Sequence, residues 1–96
     1  MGDQVRKAIE QLFAICLELS ATGRYQAFFE WQAHVSQVRV EVYPGGTRFE
    51  EGEVRRQIFE ASIYVAGRFI DQPGEIAKQL NGIAGKLNLL LMEDAA

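Results

Sequence analysis

The residues Val38-Arg39-Val40-Glu41-Val42-Tyr43 carry the clearest secondary-structure pattern of this chain. Valine stands at every second position and alternates with charged or aromatic residues, which is the repeat of a β-strand whose successive side chains point to opposite faces of a sheet. A strand over residues 37–43 is therefore predicted, with its valines on the core side. Pro44-Gly45-Gly46 ends this strand, because proline presets φ for a turn and glycine tolerates a positive φ.

Two neighbouring stretches, residues 25–34 and 56–66, are rich in aromatic and β-branched residues, which favour strands. Both are predicted as strands, with Val35-Ser36 as the tight connection into residues 37–43. A helix is the alternative for each, either as a continuation of the preceding helix or because some apolar residues also recur at helical spacing. The face that points to the core is predicted to carry Ala27, Phe29, Trp31, Ala33, Phe59, Ala61, Ile63 and Val65.

Apolar residues recur at steps of three and four in residues 4–21 and again in residues 74–92, so both stretches are predicted as amphipathic helices. Gly23 is suited to end the first helix in a left-handed conformation. Pro73 fits the first position of the second helix. The apolar stripes consist of Val5, Ile9, Leu12, Cys16 and Leu19 in the first helix and of Ile76, Leu80, Ile83, Leu87 and Leu90 in the second.

The predicted order of elements is α-β-β-β-α, which defines an α+β fold. A chain of 96 residues has the length of one domain, so residues 1–96 are predicted to form a single domain. Three consecutive strands with short connections favour a three-stranded antiparallel meander. Both apolar stripes must be buried, and the simplest arrangement packs both helices on one face of the sheet, in two layers.

Such a fold leaves the second face of the sheet without a covering layer. That face is predicted to carry Phe28, Glu30, Gln32, His34, Arg39, Glu41, Tyr43, Ile58, Glu60, Ser62 and Tyr64. Large apolar and aromatic side chains among charged ones are a common composition of interfaces. We therefore predict an interface formed by Phe28, Tyr43, Ile58 and Tyr64, most simply in a twofold homodimer. The alternative is that these side chains lie singly on the surface, covered by the loop of residues 44–56.

Residues that commonly carry catalysis or bind metals are scarce. His34 is the single histidine and Cys16 the single cysteine, and neither lies in a motif that pairs a nucleophile with a base or spaces metal ligands. Cys16 falls within the first helical stripe, where a thiolate would lack a positive neighbour. The chain is predicted not to be an enzyme and to use no cofactor or metal. The remaining alternative of this kind is a small-molecule-binding or enzymatic domain with a pocket between sheet and helices.

The cysteine count and the hydropathy pattern together predict a location. A single cysteine excludes an intrachain disulfide and fits a reducing compartment. Charged residues interrupt the N-terminal stretch where a signal peptide would have its apolar region. No uncharged stretch approaches the roughly 20 residues of a membrane span. The cytoplasm is therefore predicted, with no membrane partner.

The formal net charge of −3 opposes general binding to phosphate backbones, which requires a basic surface. A local basic patch formed by Arg39, Arg48, Arg55 and Arg56 around the second hairpin is the alternative. Aromatic side chains on a sheet can stack on single-stranded bases. The second hypothesis is therefore an accessory protein that binds single-stranded nucleic acid.

The stretch Phe28-Phe29-Glu30-Trp31, the dipeptide His34-Val35 and the strand Val38–Tyr43 before Gly46 carry a family resemblance. They resemble small α+β proteins of unassigned activity encoded by bacterial phages and prophages. Those proteins combine an N-terminal helix with a strand of two phenylalanines, an acidic and an aromatic residue, followed by a histidine-valine turn. The resemblance implies a small cytoplasmic accessory protein and provides no catalytic residues to transfer to this chain.

Overall fold

A computed structural model of the chain describes residues 3–49, 52, 56–65 and 73–95. The elements are α1 (Asp3–Ala21), β1 (Tyr25–Gln32), β2 (Gln37–Pro44), β3 (Phe59–Tyr64) and α2 (Pro73–Ala95). The predicted α+β class and the order α-β-β-β-α are confirmed. Neither helix has an apolar run long enough to cross a bilayer in the part of the chain that is described.

The three strands form one antiparallel sheet in the order β1-β2-β3, so β2 is central and the other two strands are edges. Phe29 lies opposite Val40 on one side, and Ala61 lies opposite Val40 on the other. The predicted alternation of β2 is confirmed, since Val38, Val40 and Val42 are fully buried. A strand with neighbours on both sides and a helical layer above one face buries that face completely.

Both helices pack on the face that carries the three valines of β2, as predicted. α1 lies along β1 and against α2, while α2 reaches β3. Leu12, Leu19, Leu80 and Leu87 are fully buried between the helices and the sheet. The core consists of Val5, Ala8, Leu12, Cys16, Leu19, Val38, Val40, Val42, Val65, Ile76, Ala77, Leu80, Ile83, Ala84 and Leu87.

The connection from α1 to β1 is short and closed by hydrogen bonds. Thr22 Oγ1 donates to the carbonyl oxygen of Leu19 at 2.7 Å, and the N–H of Gly23 donates to the carbonyl oxygen of Ser20 at 3.2 Å. Gly23 has φ 79°, the left-handed conformation predicted for the end of this helix. The chain thus turns back at once, and β1 runs antiparallel to α1 beneath it.

β1 ends at Gln32, two residues earlier than predicted, because Ala33–Ser36 form a turn. The N–H of Val35 donates to the carbonyl oxygen of Gln32, and that of Ser36 donates to the carbonyl oxygen of Ala33, both at 3.3 Å. Ser36 has a positive φ of 50°, which a non-glycine residue adopts mainly in tight turns. His34 therefore lies in the turn and not on the outward face of the sheet where the alternation placed it.

β3 is shorter than the predicted strand of residues 56–66. Residues 56–58 are irregular, although the N–H of Ile58 still donates to the carbonyl oxygen of Val42 at 2.8 Å. At the other end the N–H of Val65 donates to the carbonyl oxygen of Ser36 at 2.8 Å. The last residue of the predicted strand lies outside the described residues. One hydrogen bond at each end thus continues the contact between β3 and its neighbours slightly beyond the residues of β3.

Candidate interaction surface

The face of the sheet opposite the helices, here called the outer face, carries the side chains predicted to form an interface. The strand register places on it Gln26, Phe28, Glu30 and Gln32 from β1, Gln37, Arg39, Glu41 and Tyr43 from β2, and Glu60, Ser62 and Tyr64 from β3. These positions alternate with the buried ones, because successive side chains of a strand point to opposite faces.

Three aromatic side chains meet at one end of the outer face and form the aromatic cluster: Phe28, Tyr43 and Phe49. Their ring centroids are 5.9 Å apart for Phe28 and Tyr43, 5.2 Å for Phe28 and Phe49, and 5.0 Å for Tyr43 and Phe49. All three pairs are close to perpendicular, which is a favourable geometry for aromatic rings. Phe49 comes from the loop after β2, so one residue of the loop predicted in the alternative contacts this end of the face.

The loop that carries Phe49 is attached to β1 by a side-chain amide. Gln26 Nε2 donates to the carbonyl oxygens of Gly45 at 2.8 Å and of Thr47 at 2.9 Å. Gln57 Nε2 donates to the hydroxyl oxygen of Tyr43 at 3.2 Å. These bonds and the ring contacts leave Tyr43 only 9% exposed, whereas Phe28 and Phe49 remain 38% and 39% exposed.

An ion cluster occupies the centre of the outer face. Glu41 and Glu60 lie directly opposite each other on β2 and β3, a like-charge pair that is unfavourable on its own. Arg39 compensates for both: its Nη2 lies 2.6 Å from Glu41 Oε1 and 3.4 Å from Glu60 Oε1. Arg39 Nε is buried without a hydrogen-bond partner. Glu30 lies opposite Arg39 on β1.

Of the four predicted interface residues, the register places Phe28, Tyr43 and Tyr64 on the outer face, and the four do not form one cluster. Phe28 and Tyr43 belong to the aromatic cluster at one end. Ile58 lies just before β3 and is 42% exposed, and Tyr64 ends β3 and is 58% exposed. Six residues of extended chain separate the latter two by roughly 20 Å. The exposed apolar groups therefore span the length of the face.

The arginines of the nucleic-acid hypothesis have different surroundings. Arg39 is held by two carboxylates, while Arg48 and Arg56 are exposed. Arg55 lies outside the described residues. The strands contribute three acidic side chains and one basic side chain to the outer face. This balance weighs against binding a phosphate backbone there.

A second exposed apolar surface lies along the free edge of β1 and consists of Phe13, Leu17 and Trp31; we call it the β1-edge patch. Phe13 is 46%, Leu17 56% and Trp31 42% exposed. The ring of Phe13 packs edge-on against Phe29 at 5.3 Å. Trp31 is predicted on the core face, and it does lie on the side of the sheet that faces the helices. Because β1 is an edge strand, Trp31 has a neighbouring strand on one side only and stays partly exposed. The hydropathy pattern does not indicate which strand lies at the edge of the sheet.

The edge of β1 is partly protected by α1. Ser20 Oγ accepts a hydrogen bond from the N–H of Ala27 at 3.2 Å and donates to the carbonyl oxygen of Ala27 at 3.3 Å. A hydroxyl that satisfies both backbone groups blocks strand addition at this residue.

Cys16 and His34 lie in different parts of the fold. Cys16 is 3% exposed in the core, and His34 is exposed in the turn. Burial raises the pKa of the Cys16 thiol from its usual 9.0 to about 11. No group of three or more His, Cys, Asp or Glu that could hold a metal ion occurs among residues 3–49, 52, 56–65 and 73–95.

The raised pKa of Cys16 predicts two measurable effects. At pH 8 a disulfide reagent such as Ellman's is expected to leave the folded chain unmodified and to react after denaturation, because the neutral buried thiol is a poor nucleophile.

Between about pH 9 and 11 the unfolded chain loses the proton of the Cys16 thiol and the folded chain keeps it. Stability is thus fully present below pH 9 and falls as pH rises through this window. Cys16→Ala is expected to remove this slope; an equal slope in wild type and variant would contradict the assignment.

The outer face as a whole joins an aromatic cluster at one end, an ion cluster at the centre and Tyr64 at the other end. Its residues come from all three strands and from the loop after β2. Sequence alternation identified the strand residues of this surface but missed Phe49, for which a single aromatic residue in a polar loop was the available signal. The chain matches no protein-family model, no curated protein and no solved structure.

Proposed function

We propose that this chain is a non-enzymatic interaction protein that self-associates through the outer face. The observation that carries the proposal is that both helices lie on one side of the sheet while Phe28 and Tyr64 are exposed on the other, with Ile58 exposed just before β3. Exposed apolar side chains in one surface lose contact with water when that surface is covered. The resemblance to phage and prophage proteins supports the role of a cytoplasmic accessory protein.

The shape of the molecule supports association through this face. The Cα atoms extend over 39 × 34 × 15 Å, so the outer face is one of the two broad sides of a thin slab. A stable interface buries about 800 Å² of each partner, which a broad side of this size provides. A twofold axis parallel to the plane of the sheet, lying between the two copies, would pack two such faces against each other as aligned sheets.

The charge of the outer face predicts how salt affects this association. Glu30, Glu41 and Glu60 outnumber Arg39, so two copies repel each other at low ionic strength. Salt screens this repulsion, and the dissociation constant of the dimer is expected to fall between about 50 and 300 mM salt. Binding of single-stranded nucleic acid through Arg48 and Arg56 would weaken over the same range, since salt competes with phosphate contacts. The two hypotheses thus differ in the sign of the salt effect.

Light scattering on the wild type and on an Ile58→Glu/Tyr64→Glu double variant tests the proposal. The wild type is expected at about twice the 10.8 kDa of one chain at micromolar concentration, and the double variant at the monomer mass. Both replaced residues are exposed, so the fold is expected to persist. Circular dichroism of the variant verifies this.

Matched controls locate the interface. Leu89→Glu/Met92→Glu adds the same charge at two exposed apolar positions of α2 and is expected to leave the dimer intact. Leu17→Glu tests the β1-edge patch in the same way. A monomeric wild type would refute self-association, and a monomeric Leu17 variant beside a dimeric Ile58/Tyr64 variant would move the interface to the β1 edge.

A further inference from the structure

An open groove of about 510 Å³ lies on the outer face beside the aromatic cluster. It is lined by Gln26, Phe28, Glu30, Glu41, Tyr43 and Phe49. Three aromatic rings and three polar side chains therefore line one depression, which is formed by two strands and a loop.

The polar groups of the groove are mainly acceptors of hydrogen bonds. Both amide hydrogens of Gln26 are used by the carbonyl oxygens of Gly45 and Thr47, so its Oε1 remains as an acceptor. Glu30 and Glu41 are acceptors only when ionised. Each has one oxygen engaged, by Gln32 Nε2 at 3.4 Å and by Arg39 Nη2 at 2.6 Å, and a second oxygen remains. Only the Tyr43 hydroxyl, which accepts from Gln57, keeps a donor hydrogen in this lining.

The aromatic rings add a negative potential to the same groove. Phe28 and Phe49 are each more than a third exposed, so part of each ring is accessible to a ligand. The face of an aromatic ring attracts cations through its quadrupole. The two phenylalanine rings, the side-chain Oε1 of Gln26 and the carboxylates of Glu30 and Glu41 are together complementary to a cation that has several N–H donors. The same groups repel anions.

We propose that this groove binds the guanidinium group of an arginine side chain from a polypeptide docked on the outer face. Guanidinium is planar, weakly hydrated and rich in donors, so it stacks on rings and bonds carboxylates at the same time, whereas an ammonium group is compact and strongly hydrated. Arg39 is an example beside the groove, since its guanidinium group forms ion pairs with both Glu41 and Glu60.

The source of the guanidinium follows from the shape of the groove. The groove is open, so a free small cation bound in it would stay largely hydrated and gain little. An arginine in a polypeptide brings the neighbouring main chain, which covers the open side of the groove. This assignment rests on the proposed function in one respect, namely that a polypeptide lies on the outer face.

The test is an NMR titration in which acetyl-Gly-Arg-Gly-amide is added to the ¹⁵N-labelled chain and the changes in amide chemical shifts are measured. Shifts are expected at Gln26, Phe28, Glu41 and Tyr43, including the side-chain amide of Gln26. The same peptide with citrulline, which is neutral and nearly isosteric, is expected to cause no shifts up to about 20 mM, because the charge-assisted bonds are lost. Guanidinium chloride at equal concentration is expected to bind more weakly than the arginine peptide.

Substitutions provide the matched controls. Glu30→Gln is expected to weaken peptide binding roughly fivefold or more, because it removes a charged acceptor of the groove. Glu60→Gln makes the same change on the same face outside the groove and is expected to change the affinity less than about twofold. Phe49→Leu keeps the apolar volume but removes a ring face and is expected to weaken binding.

Several outcomes would overturn the assignment: equal shifts with the citrulline peptide, equal losses from Glu30→Gln and Glu60→Gln, or guanidinium chloride binding as tightly as the peptide. The titration is repeated on the Ile58→Glu/Tyr64→Glu variant, where binding is expected to be at least as tight because no second copy competes. A monomeric wild type that binds the arginine peptide would refute self-association and support arginine binding in the groove. A dimeric wild type whose double variant does not bind the peptide would support self-association and refute arginine binding.

Discussion

Leu12→Ala is expected to lower the free energy of unfolding by about 2–5 kcal/mol. Leu12 is fully buried between α1, α2 and the sheet. Truncating it removes apolar burial and leaves a cavity that a packed layer of helices on a three-stranded sheet fills only in part. Urea unfolding followed by circular dichroism measures the loss.

Leu17→Ala is the matched control for this prediction. It makes the same chemical change in the same helix, but Leu17 is 56% exposed, and the cost is expected to stay below about 1 kcal/mol. The unfolding is measured at low protein concentration so that association does not contribute. Similar losses for the two variants would show that α1 does not pack through the face described here.

Gly45→Ala is expected to cost about 3 kcal/mol, the upper end of the range for overpacking. A Cβ atom at this position would overlap the carbonyl oxygen of Gly23 and would lie 2.9 Å from the carbonyl carbon of Arg24. Both contacts are with backbone, so no side-chain rotation relieves them. The N–H of Gly45 also donates to the carbonyl oxygen of Arg24 at 2.8 Å, and the shift would strain this bond.

Gly46→Ala is the neighbouring control, since a Cβ atom there meets nothing within 4 Å. Its stability is expected to stay within about 0.5 kcal/mol of the wild type. Thermal unfolding of the two variants side by side separates the steric contact from the general effect of replacing a turn glycine. A Gly45→Ala chain as stable as the Gly46→Ala chain would refute the close approach of the two connections.

The fold was predictable because its signals are local. The valine alternation of residues 37–43 and the apolar stripe of residues 4–21 each report a periodicity that consecutive residues impose on themselves. Burial of Val38, Val40 and Val42 confirms the first, and burial of Leu12 within α1 confirms the second. The glycine at position 23 was equally readable, because its left-handed conformation follows from the absence of a Cβ atom.

Burial was predicted less well than orientation. Trp31 points to the helical side of the sheet, as its alternation with Phe28 and Glu30 requires, but it is 42% exposed. Whether an inward-facing side chain is covered depends on how far the helix above it extends, and this is a property of two elements at once. Phe49 is the opposite case: it lies in a loop that has no periodic pattern, yet its ring packs against Phe28 and Tyr43.

The pattern of adjacent residues predicted the order of the elements and the side of each strand that faces the core, because these follow from local backbone geometry; it left a helix open for residues 25–34 and 56–66, which the structure resolves as β1 and β3. The sequence pattern did not show that Gln26, Phe28, Tyr43 and Phe49 line one groove or that Arg39 pairs with both Glu41 and Glu60, which depends on the tertiary structure. Such contacts join segments that are separated along the chain, and the strand register and the path of the loop set them. A pattern of periodicity does not encode either one.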